Sequence, residues 1–467
     1  MATRYVLFWF DVEDCTVPQS DDAARRLAEI LASHGVRGTM KVVGQKARVL
    51  RQRVRYRVID ALGEHAIGFH SDMHGGRPQP AEYMAPLDWL EGQREFERRE
   101  RRGVDELIDL FGVTPCTYGQ PGSNWSPQVF PVLRAWGIPT YVSGYGYVGL
   151  HAQPFYYGGI VNTSHMIGTD RRGRDACHRF TLGFDLGTEE ARARYRQAFD
   201  ASYQALEDGG LISIANHPCQ LVLQEWFSTR LKPNELQDAG YVHFEEFVRY
   251  VLSHDHVKTV TAADLPGLYP DRAMGRVFSA EELREMAAAV GHEVYFQERD
   301  GMAISAAELF GMFTRFLAQA IREDTVPPGA VCRYLDGPAN RGSGQVETWF
   351  GADADDFRES VLETAEFIES HGRLPDDVWA GEMCGTVADW FCCAAQMVAH
   401  LVETGDMDRH VETQPARMRV DDHVDDDAAR GGWQGAMLPQ GIDGSKLLEQ
   451  TKRQAWTLKP AILEDRL

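Results

Sequence analysis

The segment Ile67-Gly-Phe-His70-Ser-Asp-Met-His74 sets two imidazoles four residues apart, directly after an apolar run. At that spacing both rings can meet one divalent cation from the same side of a helical turn, and imidazole suits zinc and its neighbours. Two further groups fit the same chemistry. One is the carboxylate run Phe10-Asp-Val-Glu-Asp14, and the other is the late histidine of Asn216-His-Pro218. Hydrolysis at a metal needs ligands, a base for the attacking water, an oxyanion stabiliser and an acid for the leaving group. Asp11 ends the first apolar run, so its carboxylate is expected in the mouth of a site. Glu13 shares its face if the strand continues, because side chains alternate; Asp14 reaches the same cavity if the strand stops at Asp11 and the chain turns. Tyr118-Gly-Gln-Pro-Gly-Ser-Asn-Trp125 is a Gly/Pro loop that can aim backbone N–H groups at a developing oxyanion. Trp125 and Trp226 are candidates for a cleft wall, although large aromatics more often build cores.

The elements that must hold these groups are readable as βα units. Tyr5–Phe10 reads as a strand and Asp21–His34 as an amphipathic helix closed by Gly35. Gly38–Val43 is a second strand, and His65–Phe69 a third that leads into the histidine pair. Leu90–Leu110 and Pro127–Trp136 are helices, and Pro139–Val142 a strand. Thr188–Glu207 is helical, Leu211–Ala215 is a buried strand that delivers His217, and Phe244–Ser253 with Val257–Thr261 completes the series. Such alternation points to a parallel sheet or barrel, with chemistry at the C-terminal ends of its strands. Asp264-Leu-Pro-Gly-Leu-Tyr-Pro270 is a boundary by its Pro and Gly. Beyond it Ser279 with Glu282, and Ser305 with Glu308, fit capping boxes, and Phe357–His371 and Val387–Val402 read as helices. Residues 275–467 are therefore expected to form a separate, mainly α-helical domain.

A chain of 467 residues with a net charge of −21 is long enough for two cores and is a poor match to nucleic acid or an anionic membrane. The acidity is uneven: residues 1–270 carry a net −4 and residues 271–467 a net −17. The block Asp421–Asp427 is expected to be a solvated acidic loop. No secretory or transmembrane segment is visible, and the eight cysteines show no C-x-x-C or disulfide-scaffold spacing. A cytoplasmic protein with reduced thiols is the expectation.

Taken in order, Phe10-Asp-Val-Glu-Asp14, His70-Ser-Asp-Met-His74, Gly119-Gln-Pro121 and Asn216-His-Pro218 make residues 4–270 resemble the polysaccharide deacetylase family, the NodB-homology hydrolases of carbohydrate esterase family 4. The resemblance implies a distorted (β/α) barrel of the NodB-homology type over residues 1–274. It implies that Asp11 is the general base and His217 the general acid. His70, His74 and an acidic residue after Asp11 would hold one divalent metal: Asp14, with Glu13 as the alternative. Zinc is the expected ion, with cobalt, nickel or manganese fitting the same ligands. Gly122 N–H would join the oxyanion hole, with Trp125 near the substrate. One departure stands out. The arginine that this family uses to orient the base is replaced by Gly119, and Arg171, Arg172, Arg174 or Arg179 are the candidates to stand in for it.

The expected activity is metal-dependent hydrolysis of a C–N amide bond, foremost N-deacetylation of an N-acetylated sugar or related small amide. Ring opening of an allantoin-like or imide substrate is the alternative. A non-catalytic, degenerate barrel acting as a binding module is the contrasting class. The partners expected are a small-molecule or sugar substrate, with homo-oligomerisation through residues 275–467.

Overall fold

The computed structural model describes residues 3–464 apart from 123, 145–146, 151–152, 164–178, 208, 227, 344–349 and 425–442. In chain order its main sheet is built from β1 Arg4–Val12, β2 Thr39–Val42, β3 Ala66–Phe69, β4 Thr140–Tyr141, β5 Phe155–Tyr157, β6 Ile160–Asn162, β7 Arg179–Leu182, β8 Gly210–Asn216 and β9 Val257–Val260. Apolar β1 organises it. β8 runs parallel along the length of β1, from Arg4 opposite Gly210 to Phe10 opposite Asn216. β2 pairs with the C-terminal part of β1 and β9 with its N-terminal part, both in parallel. A strand has only two edges, so β2 and β9 share the edge that β8 leaves. β3 lies outside β2, and bridges from Phe69 to Tyr118 and from Tyr118 to Tyr141 carry the sheet on to β4. β6 and β5 follow, then a tail strand, Lys459–Pro460. β7 flanks β8 on the other side. Pairings among the described residues do not join the two ends of this sheet.

Alternation along β1 separates two cores. Val6, Phe8, Phe10 and Val12 face the helices, and Tyr5, Leu7 and Trp9 pack on the opposite face with Val142, Ala215 and Val260. Asp11 continues that second row, so the site stands on an apolar floor. The helices read from the sequence are present, and Gly44–Gln52 and Tyr56–Gly63 are added to them. Pro18–Ser33 ends before Gly35 at φ +69°, and Trp89–Phe111 starts at a capping box of Asp88 with Glu91 and stops at Gly112 at φ +72°. Glu189–Ala205 is capped by the Thr188 hydroxyl. Asn234–Leu252 begins well before the expected Phe244.

Residues after 270 differ from expectation. Helices Ala280–Ala288, Ala306–Glu323, Ala354–His371 and Val387–Thr404 are present, the first two with the capping boxes read from Ser279 and Ser305. Short two-stranded pairs lie between them, such as Val277–Ser279 with Gly329–Val331 and Val378–Ala380 with Met383–Gly385. The region is mixed α/β, because strands of two or three residues leave no period for a sequence reading to detect. Its core gathers Phe310, Phe313, Trp390 and Phe391. The end of the chain leaves that core: Leu447 and Leu458 join the core of the N-terminal sheet. Trp125 Nε1 donates to Thr451 Oγ1 at 3.2 Å, and Tyr157 Oη donates to the Thr451 carbonyl at 3.0 Å. Among the described residues no helix is long and apolar enough to cross a membrane.

Candidate active site

β1 extends to Val12, one residue beyond Asp11. Strand parity therefore places Glu13 on the Asp11 face and turns Asp14 away. Asp14 becomes a turn former. Its carboxylate accepts from Thr16 N at 3.2 Å, Thr16 Oγ1 at 2.6 Å and Ser20 Oγ at 2.5 Å, ahead of helix Pro18–Ser33. The expectation of Asp14 beside the histidines is corrected accordingly: Glu13 is the carboxylate that reaches them. Glu13 Oε2 lies 3.3 Å from His70 Nε2 and 3.0 Å from His74 Nε2.

The histidine pair is not on a helical turn. His70 follows β3, and Ser71 at φ +63° throws the chain into an irregular loop. Gly44 N and Gln45 N, opening helix Gly44–Gln52, donate to the carbonyls of Ser71 and Asp72 at 3.0 and 2.8 Å. Asp72 N in turn donates to Glu100 Oε2 at 2.6 Å, and Arg48 pairs with the Asp72 carboxylate at 2.6 Å. The loop is thus held on three sides, and the imidazole centroids come to 5.1 Å. The Gly119 carbonyl, 2.7 Å from His70 Nδ1, can only accept, so Nδ1 carries the proton and Nε2 keeps its lone pair for the Glu13 side.

His217 leaves the end of β8, beside Asp11. Its Nε2 lies 3.4 Å from Asp11 Oδ2, and its ring meets Trp226 edge-on at 4.9 Å. Asp11 is buried, and His70 Nδ1 is 3.6 Å from Oδ1. Burial alone would raise the Asp11 carboxyl, but His70, Lys41 and His217 outweigh it and hold the group well below the usual carboxylate range. Glu13 is likewise raised by burial and lowered further by His74, His217 and His70, for a net fall. Burial lowers His70, whereas at His74 the Glu13 carboxylate overcomes burial and raises it.

Sequence reasoning missed Lys41. It lies opposite Asp11 in the β1–β2 register, is fully buried, and sets its Nζ 2.8 Å from Asp11 Oδ1. A lysine inside the apolar run Gly38–Val43, on the strand beside Asp11, is the signal in the sequence, whereas the family resemblance points only to an arginine as the orienting charge. Of the candidate arginines, Arg171, Arg172 and Arg174 fall outside the described residues. Arg179 donates through Nη1 to the Gly144 carbonyl at 2.7 Å and lies over the Trp9 ring at 5.6 Å.

Gly122 has φ +49°, and its loop is tied to both histidines: through the Gly119 carbonyl to His70, and through Asn124 and Gln79 to the His74 carbonyl. Trp125 is corrected. It is wholly buried among Phe130, Tyr141 and Tyr157 rather than facing substrate. The tryptophan on the cleft is Trp226, 41% exposed. That cleft, about 340 Å³, is walled by Glu13, Asp14, His74, Met73, Leu223 and Trp226.

Ligand atoms of Glu13, His70 and His74 lie within 4.8 Å of one another, as do those of Asp11, Glu13 and His217. Two imidazole nitrogens and a carboxylate, one imidazole with its tautomer set by a carbonyl, fit a divalent cation of the zinc type.

No family model and no curated protein matches this chain. Among solved structures it is similar to PuuE allantoinase (14% identity, over 58% of this chain and 92% of that one, TM-score 0.40). It is also similar to a Mycobacterium smegmatis protein assigned as a polysaccharide deacetylase (19%, 57% and 90%, TM-score 0.36). A third likeness is to a family 4 acetyl xylan esterase from Clostridium thermocellum in complex with cobalt (16%, 56% and 90%, TM-score 0.31).

Proposed function

We propose that this chain is a metal-dependent hydrolase of a C–N amide bond, acting on a small N-acetylated compound. One observation carries the reading: a buried carboxylate, Asp11, lies between an ammonium and an imidazole, beside a cluster of two histidines and Glu13. Glu13, His70 and His74 would hold the cation. Bound there, a divalent ion polarises a carbonyl and acidifies water. Asp11 Oδ2, facing His217, takes the proton of the attacking water. His217 stands on the cleft side of Asp11 and gives a proton to the departing nitrogen. Gly122 N–H contributes a donor to the oxyanion, from a loop already braced against both histidines. Trp226, against His217, bounds the substrate on its apolar side.

A cleft of about 340 Å³ beside Glu13 and His74 has room for a single sugar or ring. The same dimensions suit a cyclic amide, the second reading, in which the attacked bond opens a ring and releases no acid. Residues 1–274 are the catalytic unit in this proposal.

The experiment is metal analysis of the purified protein followed by assay with zinc, cobalt, nickel or manganese. Acetate release from N-acetylglucosamine supports deacetylation, and ring opening of allantoin or succinimide without acetate supports the second reading. A protein that binds no divalent ion and turns over none of these is a binding module, and the enzyme reading falls.

A further inference from the structure

We propose that Lys41 is the positioning residue for Asp11, reaching from β2 into space that Gly119 and Gly68 keep open. This rests on the reading of Asp11 as the base. Lys41 and Asp11 are direct neighbours across two parallel strands, so both side chains leave the same face of the sheet. The ammonium lies 2.8 Å from Asp11 Oδ1, donates to the Val142 carbonyl at 2.9 Å and stands 4.0 Å from the Trp9 ring centroid. These partners surround the ammonium: a carboxylate, a carbonyl beyond β4, and an aromatic face on the apolar floor. The contact with Asp11 is a charge pair rather than an aligned hydrogen bond, since Oδ1 meets no hydrogen-bond geometry.

Two glycines make this path. Gly68 is the β3 neighbour of Lys41, and a Cβ there would fall 2.8 Å from Lys41 Cγ. A Cβ at Gly119 would fall 2.4 Å from Lys41 Nζ and 2.3 Å from the Val142 oxygen. A side chain at position 119 and the ammonium of Lys41 exclude each other where they now stand. Hence the absence of an arginine at 119 is the condition for Lys41 to sit where it does. The ammonium claims Oδ1, so the other carboxylate oxygen is the one turned to His217. Lys41 is buried behind Asp11 and acts through it.

The test uses the full-length, zinc-loaded protein with 4-nitroacetanilide and N-acetylglucosamine as amide probes, and a crystal structure of each variant. Lys41→Met is expected to lower kcat about 10²-fold, the effect of a misplaced reacting group. KM should stay within about twofold, as expected when the loss is confined to the transition state. Zinc content should hold, and the Asp11 carboxylate should rotate from its present orientation. Gly119→Ala, which changes no charge, is expected to displace the ammonium and reproduce the kcat loss; it decides the matter if Lys41→Met does not fold. Lys41→Arg is expected to recover part of kcat, which a merely space-filling role would not do. An unmoved Asp11 carboxylate in the Lys41→Met crystal overturns the proposal whether or not either probe is turned over. So does a wild-type kcat in that variant. If Asp11→Asn is inactive while Lys41→Met is fully active, only the positioning role falls. If Asp11→Asn is also fully active, the base assignment falls with it.

Discussion

Lys41 and Lys459 are both buried lysines that meet carboxylates, and they do so to opposite ends. Lys459, on the tail strand, lies 2.7–2.9 Å from both oxygens of Asp271 and both oxygens of Glu308. It ties three pieces together: the tail, the end of the N-terminal region, and the first turn of helix Ala306–Glu323. Lys41 has the Asp11 carboxylate within ion-pair distance, with Oδ1 the near oxygen at 2.8 Å. The remaining oxygen of Asp11 is turned to an imidazole, with Trp226 and the cleft beyond that ring. The same ion types therefore form a saturated clasp in one place and an incompletely satisfied group in the other. A buried charge whose partners are all inside the protein speaks of assembly. One whose other oxygen meets an imidazole packed on a cleft-lining tryptophan speaks of chemistry.

Substitutions can break this contrast. The largest effect is expected at Asp11: Asp11→Asn should reduce kcat by about 10²–10⁴-fold per mole of folded, metal-loaded protein. Steady-state assays with metal analysis of the same sample check this, and undiminished turnover would make the pair a second clasp. Lys459→Met should do the reverse. Leaving Asp271 and Glu308 without their counter-ion should cost about 3–5 kcal/mol in urea unfolding, with kcat of the folded protein unchanged.

A smaller effect sharpens the carboxylate assignment. Glu13→Gln should weaken zinc binding by at least about 10-fold in competition with a chelator, while Asp14→Asn leaves it unaltered. An equal loss in both would restore Asp14 as a ligand.

The most graded prediction concerns Glu100, which braces the histidine loop through Asp72 N and accepts from Tyr83 Oη at 3.0 Å. Burial, the dominant cause, pushes its carboxyl up to about 7 against an ordinary value of 4.5. Between those values the folded state holds a proton that the unfolded chain has lost. This group's contribution therefore weakens stability as pH rises from 4.5 to 7, by about 3 kcal/mol in all. Glu100→Gln should remove that slope from denaturation curves measured across the window. A variant with the wild-type slope would locate the proton elsewhere.

Much of the site was legible because its residues sit at strand ends. Asp11, His70 and His217 each follow or close an apolar run, and the structure places all three within a few ångströms. The carboxylate choice was not legible, since it turned on one residue of strand length. A strand ending at Asp11 would have let Asp14 turn inward, and ending at Val12 it exposes Glu13. Trp125 read as a cleft residue because its loop is near the histidines, yet the Thr451 hydroxyl that receives its indole N–H comes from the far end of the chain. The short strands after residue 270 escaped for a simpler reason: two or three residues carry no periodicity.

Local chemistry alone determined the βα order of the N-terminal region, its helix caps, and the set of acid, base and ligand types, because these depend on spacing within a few residues. Only the tertiary structure decided which carboxylate meets the histidines, that Lys41 stands against Asp11, and that the tail returns to the first core. Each of these joins residues far apart in the chain, through strand register and the room that a missing side chain leaves, and neither is written in local sequence.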